Sequence, residues 1–272
     1  MTYETLTLAV ADRVATITLN RPEVRNAFNE TTIAEITRAF REVGAMDDVR
    51  AVVLAASGPA FCAGADLNWM KKMAGYTRDE NRADAMQLAG MLRTIYECPK
   101  PVVARVQGDC YAGGMGLVAA CDVVVAVEEA HFCLSEVKLG LIPATISPYV
   151  IKAMGENAAR RYLLTAERFT AAEAHRIGFV HEVVASGAAD ASMAPVAERL
   201  DGVVAGIVKA LVTNSPNAVK EAKRLVRDVA GMPVTDALVA DTAERIADIR
   251  ASGEGKEGVR SFLEKRKPDW LG

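Results

Sequence analysis

Three consecutive segments decide the architecture: Pro101-Val102-Val103-Ala104-Arg105-Val106-Gln107, then Tyr111-Ala112-Gly113-Gly114-Met115-Gly116-Leu117-Val118-Ala119-Ala120, then Asp122-Val123-Val124-Val125-Ala126-Val127. Valine-rich runs on either side of a glycine-opened stretch of helix formers predict strand, glycine turn, helix, strand. Upstream, residues 49–55 form a short apolar run that reads as a buried strand. Residues 5–10 and 13–19 read as two strands joined by a tight turn at Ala11-Asp12-Arg13, and Arg21-Pro22 ends the second. Asn29 or Thr31 caps a helix carrying Ile33, Ile36, Phe40 and Val43 on one face and ending at Gly44. Thr77-Arg78-Asp79-Glu80 is a capping-box pattern opening a helix with Leu88, Leu92 and Ile95 on one stripe, stopped before Pro99.

Downstream the pattern turns helical. Thr170-Ala171-Ala172-Glu173 repeats the capping-box pattern, and its helix ends at Gly178. Ser215-Pro216 places a cap before a first-turn proline and starts a helix to Val229. Pro233 to Arg250 and Glu257 to Lys265 also read as helices, and a stripe of Val203, Ile207 and Leu211 is expected to pack on a partner. Strands and helices alternate in the first two-thirds of the chain, which predicts an α/β core followed by a helical tail.

The bulk properties narrow the function. The chain has 272 residues, half of them hydrophobic and a quarter charged, which suits a globular protein with a substantial core. A net charge of −3 argues against a nucleic-acid binder working through bulk electrostatics. No run of about 18 apolar residues is present to span a bilayer. The N-terminal segment lacks a secretory pattern, so a cytoplasmic location is expected. Five scattered cysteines without a C-x-x-C pair read as free thiols in a reducing compartment. The three histidines show no ligand spacing, and no metal site is expected. Walker A, G-x-S-x-G and H-E-x-x-H patterns are absent, and the glycines of Tyr111–Gly116 do not form a G-x-G-x-x-G dinucleotide fingerprint.

Three segments carry candidate chemistry. Phe61-Cys62-Ala63-Gly64-Ala65-Asp66-Leu67 follows the buried strand, and its small residues let another group approach the backbone, with the Ala65 N–H as a candidate donor. Taken alone, it reads better as a strand-to-helix turn in which Ala and Gly merely pack. Ala112-Gly113-Gly114-Met115-Gly116 opens a helix, where unpaired N–H groups and the positive end of the helix dipole favour an oxyanion. Leu134-Ser135-Glu136-Val137 sets a glutamate among apolar neighbours. Partial burial would raise its pKa and suit it to proton transfer, whereas a structural ion pair with Lys138 or Arg161 is the plainer alternative. Together, two backbone-donor loops and one proton-transfer carboxylate are the tools for polarising a thioester carbonyl. One such donor is worth about 2.7–4 kcal/mol of barrier.

These segments, in this order and across nearly the whole chain, resemble the enoyl-CoA hydratase/isomerase (crotonase) family. The resemblance implies a crotonase-like spiral of ββα units over residues 1–195 and a helical oligomerisation region over 196–272, assembled as a homotrimer or homohexamer. It implies an oxyanion hole from the N–H groups of Ala65 and Gly113, with Glu136 as acid/base. It places a coenzyme A loop at Arg25, Asn26 and Ala27, with Ala63, Asp66 and Leu67 beside Ala65 around the adenine, and has Phe262 and Lys265 reach a neighbouring subunit's coenzyme A. No separate cofactor is implied, since the acyl-CoA substrate carries its own coenzyme A. Members with two glutamates carry the first at the position of Gly116 and the second at Glu136, so only Glu136 is retained.

Asn68-Trp69-Met70-Lys71-Lys72, the segment ending at Pro143, and Ala144-Thr145-Ile146-Ser147-Pro148-Tyr149 in place of a glycine-rich stretch resemble most the bacterial methylglutaconyl-CoA hydratases of leucine breakdown. Lys71 and Lys72 are then candidates to hold a distal carboxylate. Delta-3,delta-2-enoyl-CoA isomerase and non-catalytic acyl-CoA binding are the alternatives. The lysine-rich RNA-binding helix of some eukaryotic relatives is not matched, because Ile33–Val43 balances Arg38 and Arg41 against Glu35 and Glu42.

Overall fold

The computed structural model describes residues 2–185 and 194–272. Asp12 and Arg13 both adopt positive φ (50° and 66°), giving the tight turn that folds β1 (Leu6–Ala11) back on β2 (Val14–Leu19). β2 then pairs in parallel with β3 (Ala51–Ala56), β3 with β5 (Val102–Val106), β5 with β7 (Val123–Val127) and β7 with β10 (Glu182–Val184). The resulting six-stranded sheet has the order β1-β2-β3-β5-β7-β10. Every residue of β3 is buried, which explains its uninterrupted apolar run.

A second sheet was not apparent in the sequence. β4 (Ala60–Cys62), β6 (Asp109–Tyr111) and β8 (His131–Cys133) lie parallel to one another, and β9 (Phe169–Thr170) closes the edge antiparallel. Each unit runs a long strand in the large sheet, a short one in the small sheet, then helix: β3-β4-α2 (Leu67–Met73), β5-β6-α4 (Gly113–Ala119), and β7-β8 leading through a 3₁₀ turn to α5 (Ser147–Thr165). The chain is thus a spiral of ββα units of the crotonase type. Between β2 and β3, α1 (Glu30–Ala45) starts at the Asn29 cap and buries Ile33, Ile36, Phe40 and Val43, as the periodicity predicts. α3 (Arg78–Tyr96) opens on the complete Thr77/Glu80 capping box. α6 (Ala171–Arg176) has only half of one. Thr170 accepts from the Glu173 N–H, but the Glu173 carboxylate accepts instead from Arg176 and the Tyr162 hydroxyl.

The helical tail divides by packing. α7 (Val196–Thr213) lies on the large sheet and buries Leu200, Val204 and Val208 in the core. That buried stripe runs one residue round from the expected Val203, Ile207 and Leu211, and its partner is the protein's own sheet. Ile207 and Leu211 are partly buried at its flank, and Val203 is exposed. α8 (Pro216–Val229), α9 (Asp236–Ala251) and α10 (Gly253–Leu263) bury almost nothing, leaving Val226, Val239, Ile246, Phe262 and Leu263 exposed. Lys223 pins α8 to the core by donating to Asp122 Oδ2 at 2.7 Å and to the Lys100 carbonyl at 3.1 Å. Among the described residues no helix is long and apolar enough to cross a membrane.

A carboxylate fastens the N-terminus. Buried Glu35 accepts from the N–H groups of Glu4 and Thr5 at 2.8 Å each and from the Thr5 hydroxyl at 2.7 Å. Burial alone would raise its pKa, but these donors and nearby Arg38 outweigh burial and hold it below the usual carboxylate range. A depressed folded pKa contributes stability above the unfolded value of about 4.3, and that contribution is lost as pH falls through the folded value. Glu35→Gln should therefore lower stability at pH 7 by about 1–3 kcal/mol. In denaturant melts across pH, the gap from wild type should narrow as pH falls below the unfolded value of about 4.3 and close once pH passes the lower folded value.

Candidate active site

The site grows from one edge of the small sheet. Register pairs Cys62 with Cys110 and Tyr111 with Cys133, so β4, β6 and β8 end side by side. Ala65 stands three residues past Cys62, Gly113 two past Tyr111, and Glu136 three past Cys133. Adjacent parallel strands are about 4.8 Å apart. The carboxyl ends of three neighbouring strands thus present the three expected catalytic residues along one edge, where parallel sheets generally place their ligands.

At the first turn, the Phe28 N–H donates to the Gly64 carbonyl at 2.9 Å and the Asp66 N–H donates to the Phe28 carbonyl at 3.0 Å. Ala65 is the middle residue of this parallel bridge, so its own N–H points the other way, and it donates to no described residue. The second turn packs directly against the first. A side chain on Gly64 (φ +94°) would meet the Ala112 methyl at 3.0 Å and lie 3.7 Å from the Gly113 nitrogen. Gly113 is the first residue of α4, and its N–H also lacks a described acceptor. Ala112, just before it, holds φ 47° and ψ −124°, a conformation costly for a residue with a Cβ. The Ala112 N–H fixes this corner to β8 through the Cys133 carbonyl at 2.8 Å.

Glu136 opens a 3₁₀ turn (Glu136–Leu139) closed by left-handed Gly140. Its Oε2 is buried without a hydrogen-bond partner among the described residues. Burial pushes its pKa up, only partly opposed by its own backbone N–H. No ion pair forms with Lys138 or Arg161, and Arg161 instead pairs with Glu167. An unsatisfied buried carboxyl is costly for folding alone and points to a partner supplied by a ligand.

The expected coenzyme A loop sits against the first turn. Arg25 and Asn26 adopt successive left-handed conformations, and the Ala63 N–H donates to the Arg25 carbonyl at 2.9 Å. The Asn26 carboxamide is spent inside this loop. It donates to the Ser57 and Ala60 carbonyls at 2.8 and 2.9 Å, accepts from the Arg21 N–H, and is only 2% exposed. Asp66 likewise caps α2 and pairs with Arg21 at 3.0 Å. Burial opposes its ionisation, but these partners overcome it and keep the pKa low. Leu67 is exposed, Ala63 half-exposed and Ala27 nearly buried. Phe262 is exposed on α10, which packs on α8 and α9, and Lys265 follows that helix with a positive φ. Lys72 is engaged by Glu30 at 3.0 Å.

The resemblance of this architecture to known proteins is extensive. The family model for enoyl-CoA hydratase/isomerase matches residues 10–272. The chain belongs to the enoyl-CoA hydratase/isomerase family. An enoyl-CoA hydratase structure from Shewanella pealeana superposes with TM-score 0.91 at 40% identity, covering 98% of this chain and 96% of that one. One from Mycobacterium smegmatis gives TM-score 0.89 at 34% identity over 99% and 100% of the two chains. Mevalonyl-coenzyme A hydratase of Aspergillus fumigatus is 34% identical over 260 residues, 93% of this chain and 90% of that protein.

Within the enoyl-CoA hydratase/isomerase family, the glycine at position 116 has a visible cause here. A side chain on Gly116 would overlap Cγ2 of Ile146, lie 2.8 Å from its Cβ, and sit 3.4 Å from Leu92 Cδ2. Two aliphatic side chains fill the volume a second glutamate would need. The glycine stands out in the sequence, but nothing in the Ala144–Tyr149 segment, thirty residues on, marks Ile146 as its neighbour.

The raised pKa of Glu136 has a stability consequence. Its ionised form costs folding free energy at pH values above the unfolded carboxyl value of about 4.3, in full above the folded value and not at all below both. Glu136→Gln is therefore expected to melt at a higher temperature than wild type at pH 7. The two proteins should converge at acidic pH, and an equal or lower neutral-pH melting temperature would contradict the environment assigned to this carboxyl.

Proposed function

We propose that the chain is an enoyl-CoA hydratase that adds water across the 2,3 double bond of 3-methylglutaconyl-CoA. The single observation carrying this proposal is the buried, unpartnered Oε2 of Glu136 beside two turns whose N–H groups lack acceptors. In this mechanism the Ala65 and Gly113 amides donate to the thioester oxygen, drawing electron density from the conjugated β-carbon. Ionised Glu136 holds a water and takes one of its protons as the water oxygen attacks that carbon, and charge accumulates on the thioester oxygen as an enolate. The same carboxyl then delivers a proton to the α-carbon, so water adds to one face. Fixed amide donors aimed at the developing oxyanion supply the largest share of the barrier reduction. A carboxyl with a raised pKa suits the proton transfers.

The coenzyme A moiety would lie along Arg25, Asn26, Ala27, Ala63, Asp66 and Leu67. Asn26 and Asp66 would serve through backbone and loop shape, since their side chains are engaged. Phe262 and Lys265 would complete the site of a neighbouring copy in a homotrimer or homohexamer, which the exposed apolar residues of α8–α10 support. A cytoplasmic location, no separate cofactor and no nucleic-acid or membrane partner complete the proposal. The branched acyl group named in the Aspergillus relative supports a branched substrate. For a distal carboxylate, the Lys72–Glu30 pair leaves Lys71 as the cation of choice.

Delta-3,delta-2-enoyl-CoA isomerisation is the second proposal, favoured by the aliphatic filling above Gly116, which leaves Glu136 to move a proton between carbons unaided. A mass-resolved screen over branched, carboxylated and straight enoyl-CoAs separates the two. Gain of one water identifies a hydratase, and a shifted double bond at unchanged mass identifies an isomerase. In either case Glu136→Gln should lower turnover by about 10²–10⁴ while acyl-CoA binding holds. Undiminished turnover would remove Glu136 from the chemistry, and binding without any turnover in wild type would mark a non-catalytic binder.

A further inference from the structure

Phe28 touches both donor turns through different parts of itself. Its backbone grips the first, since its N–H and carbonyl bond Gly64 and Asp66 on either side of Ala65 at 2.9 and 3.0 Å. Its ring presses on the second. A methyl on Gly113 would overlap Phe28 Cζ and lie 3.1 and 3.4 Å from Cε1 and Cε2. The ring is backed by Trp69, with centroids 5.9 Å apart, and Trp69 Nε1 is tied to Asp84 on α3 at 3.0 Å. Phe28 is 1% exposed and Trp69 3%, so neither ring has room to drift.

Resting on the assignment of both amides to the thioester oxygen, we propose that Phe28 is the positioning residue that sets the spacing between the Ala65 and Gly113 donors. Donor placement in an oxyanion site is stringent, because a displacement of about 1 Å costs about 10²-fold in rate. Neither turn alone fixes that spacing. The bridge to Phe28 orients Ala65 but does not itself reach α4. The Ala112 corner orients Gly113, and the close approaches of Gly64 to Ala112 and of Gly114 to Cys62 set α4 against β4 without gripping Ala65. One rigid ring between a backbone clamp and a bare glycine couples the two turns directly, so that their donors move as a unit. Gly113 is then glycine for the ring's sake, as its backbone needs no positive φ.

The test uses the intact chain with a saturated acyl-CoA, labelled with ¹³C at the thioester carbonyl, as an unreactive probe. Infrared difference spectra read how strongly the bound carbonyl is polarised. Phe28→Leu should return much of the wild-type carbonyl shift toward the free value and lower kcat about 10–100-fold, with KM changed less than about threefold. Gly113→Ala should be similarly damaging in wild type but cost less than about threefold more in the Phe28→Leu background, because the space it needs has been vacated. Phe28→Met, whose unbranched side chain adapts to the vacated space, is judged by the same readouts if the leucine variant does not fold. A full carbonyl shift and unchanged kcat in a folded Phe28 variant would overturn the proposal, as would strictly additive losses in the double variant. A wild-type spectrum with no shift would instead overturn the thioester-oxygen assignment, and the spacing role with it.

Discussion

The parallel pairing of β4, β6 and β8 is the constraint on which the site depends. Each strand is only three residues long, and such short strands have little stability of their own. They hold because each follows directly on a long, buried strand of the large sheet, which fixes where the short one begins. Ala104 and Val106 of β5 are fully buried, so the start of β6 is set by the core. The edge where the short strands stop then inherits core rigidity without being covered by it. Backbone donors can stand unpaired at such an edge, whereas a surface loop would close on itself or bind water.

Electrostatics at this edge are unusual for a mildly acidic chain. Most carboxylates here are satisfied. Glu35 has three donors, Asp66 caps a helix and pairs with Arg21, and Glu173 and Glu257 are held down to a pKa of about 2 by their arginine partners. Glu136 alone among the carboxylates has an oxygen buried without a partner among the described residues. An ordinary carboxylate loses its proton too readily to return it near neutrality. Burial without a counter-charge raises the pKa of Glu136, at a cost to the fold, in the direction that the proposed proton transfer requires.

Much of the larger architecture was legible in the chain because its signals are local. Thr77 and Ser215 each cap the helix they were expected to cap, Asn29 rather than Thr31 caps α1, and Pro216–Val229 begins and ends where the proline and the apolar pattern indicate. The small sheet was not legible. Ala60–Cys62 or His131–Cys133 is too short to show a period, and its partners are distant in sequence. The α7 stripe was misplaced by one residue because its valines and small residues leave several faces equally apolar, and only the sheet chooses among them. For the site, Ala65, Gly113 and Glu136 stood out as residue types, but their adjacency came from register. Phe28 did not stand out at all, and Ala112 and Ile146 stood out only as members of longer segments, because what matters in each is a contact or a torsion.

The packing of Ile146 and Leu92 onto Gly116 also bears on how this scaffold changes under selection. A carboxylate cannot be gained on α4 by one substitution, since the newcomer would arrive in a volume already taken, and shrinking Ile146 first would leave a void in a well-packed wall. A second acid at this position therefore demands coordinated replacements on both sides of the contact. The number of proton-handling groups is thereby a heritable trait of the whole pocket wall rather than of a single codon.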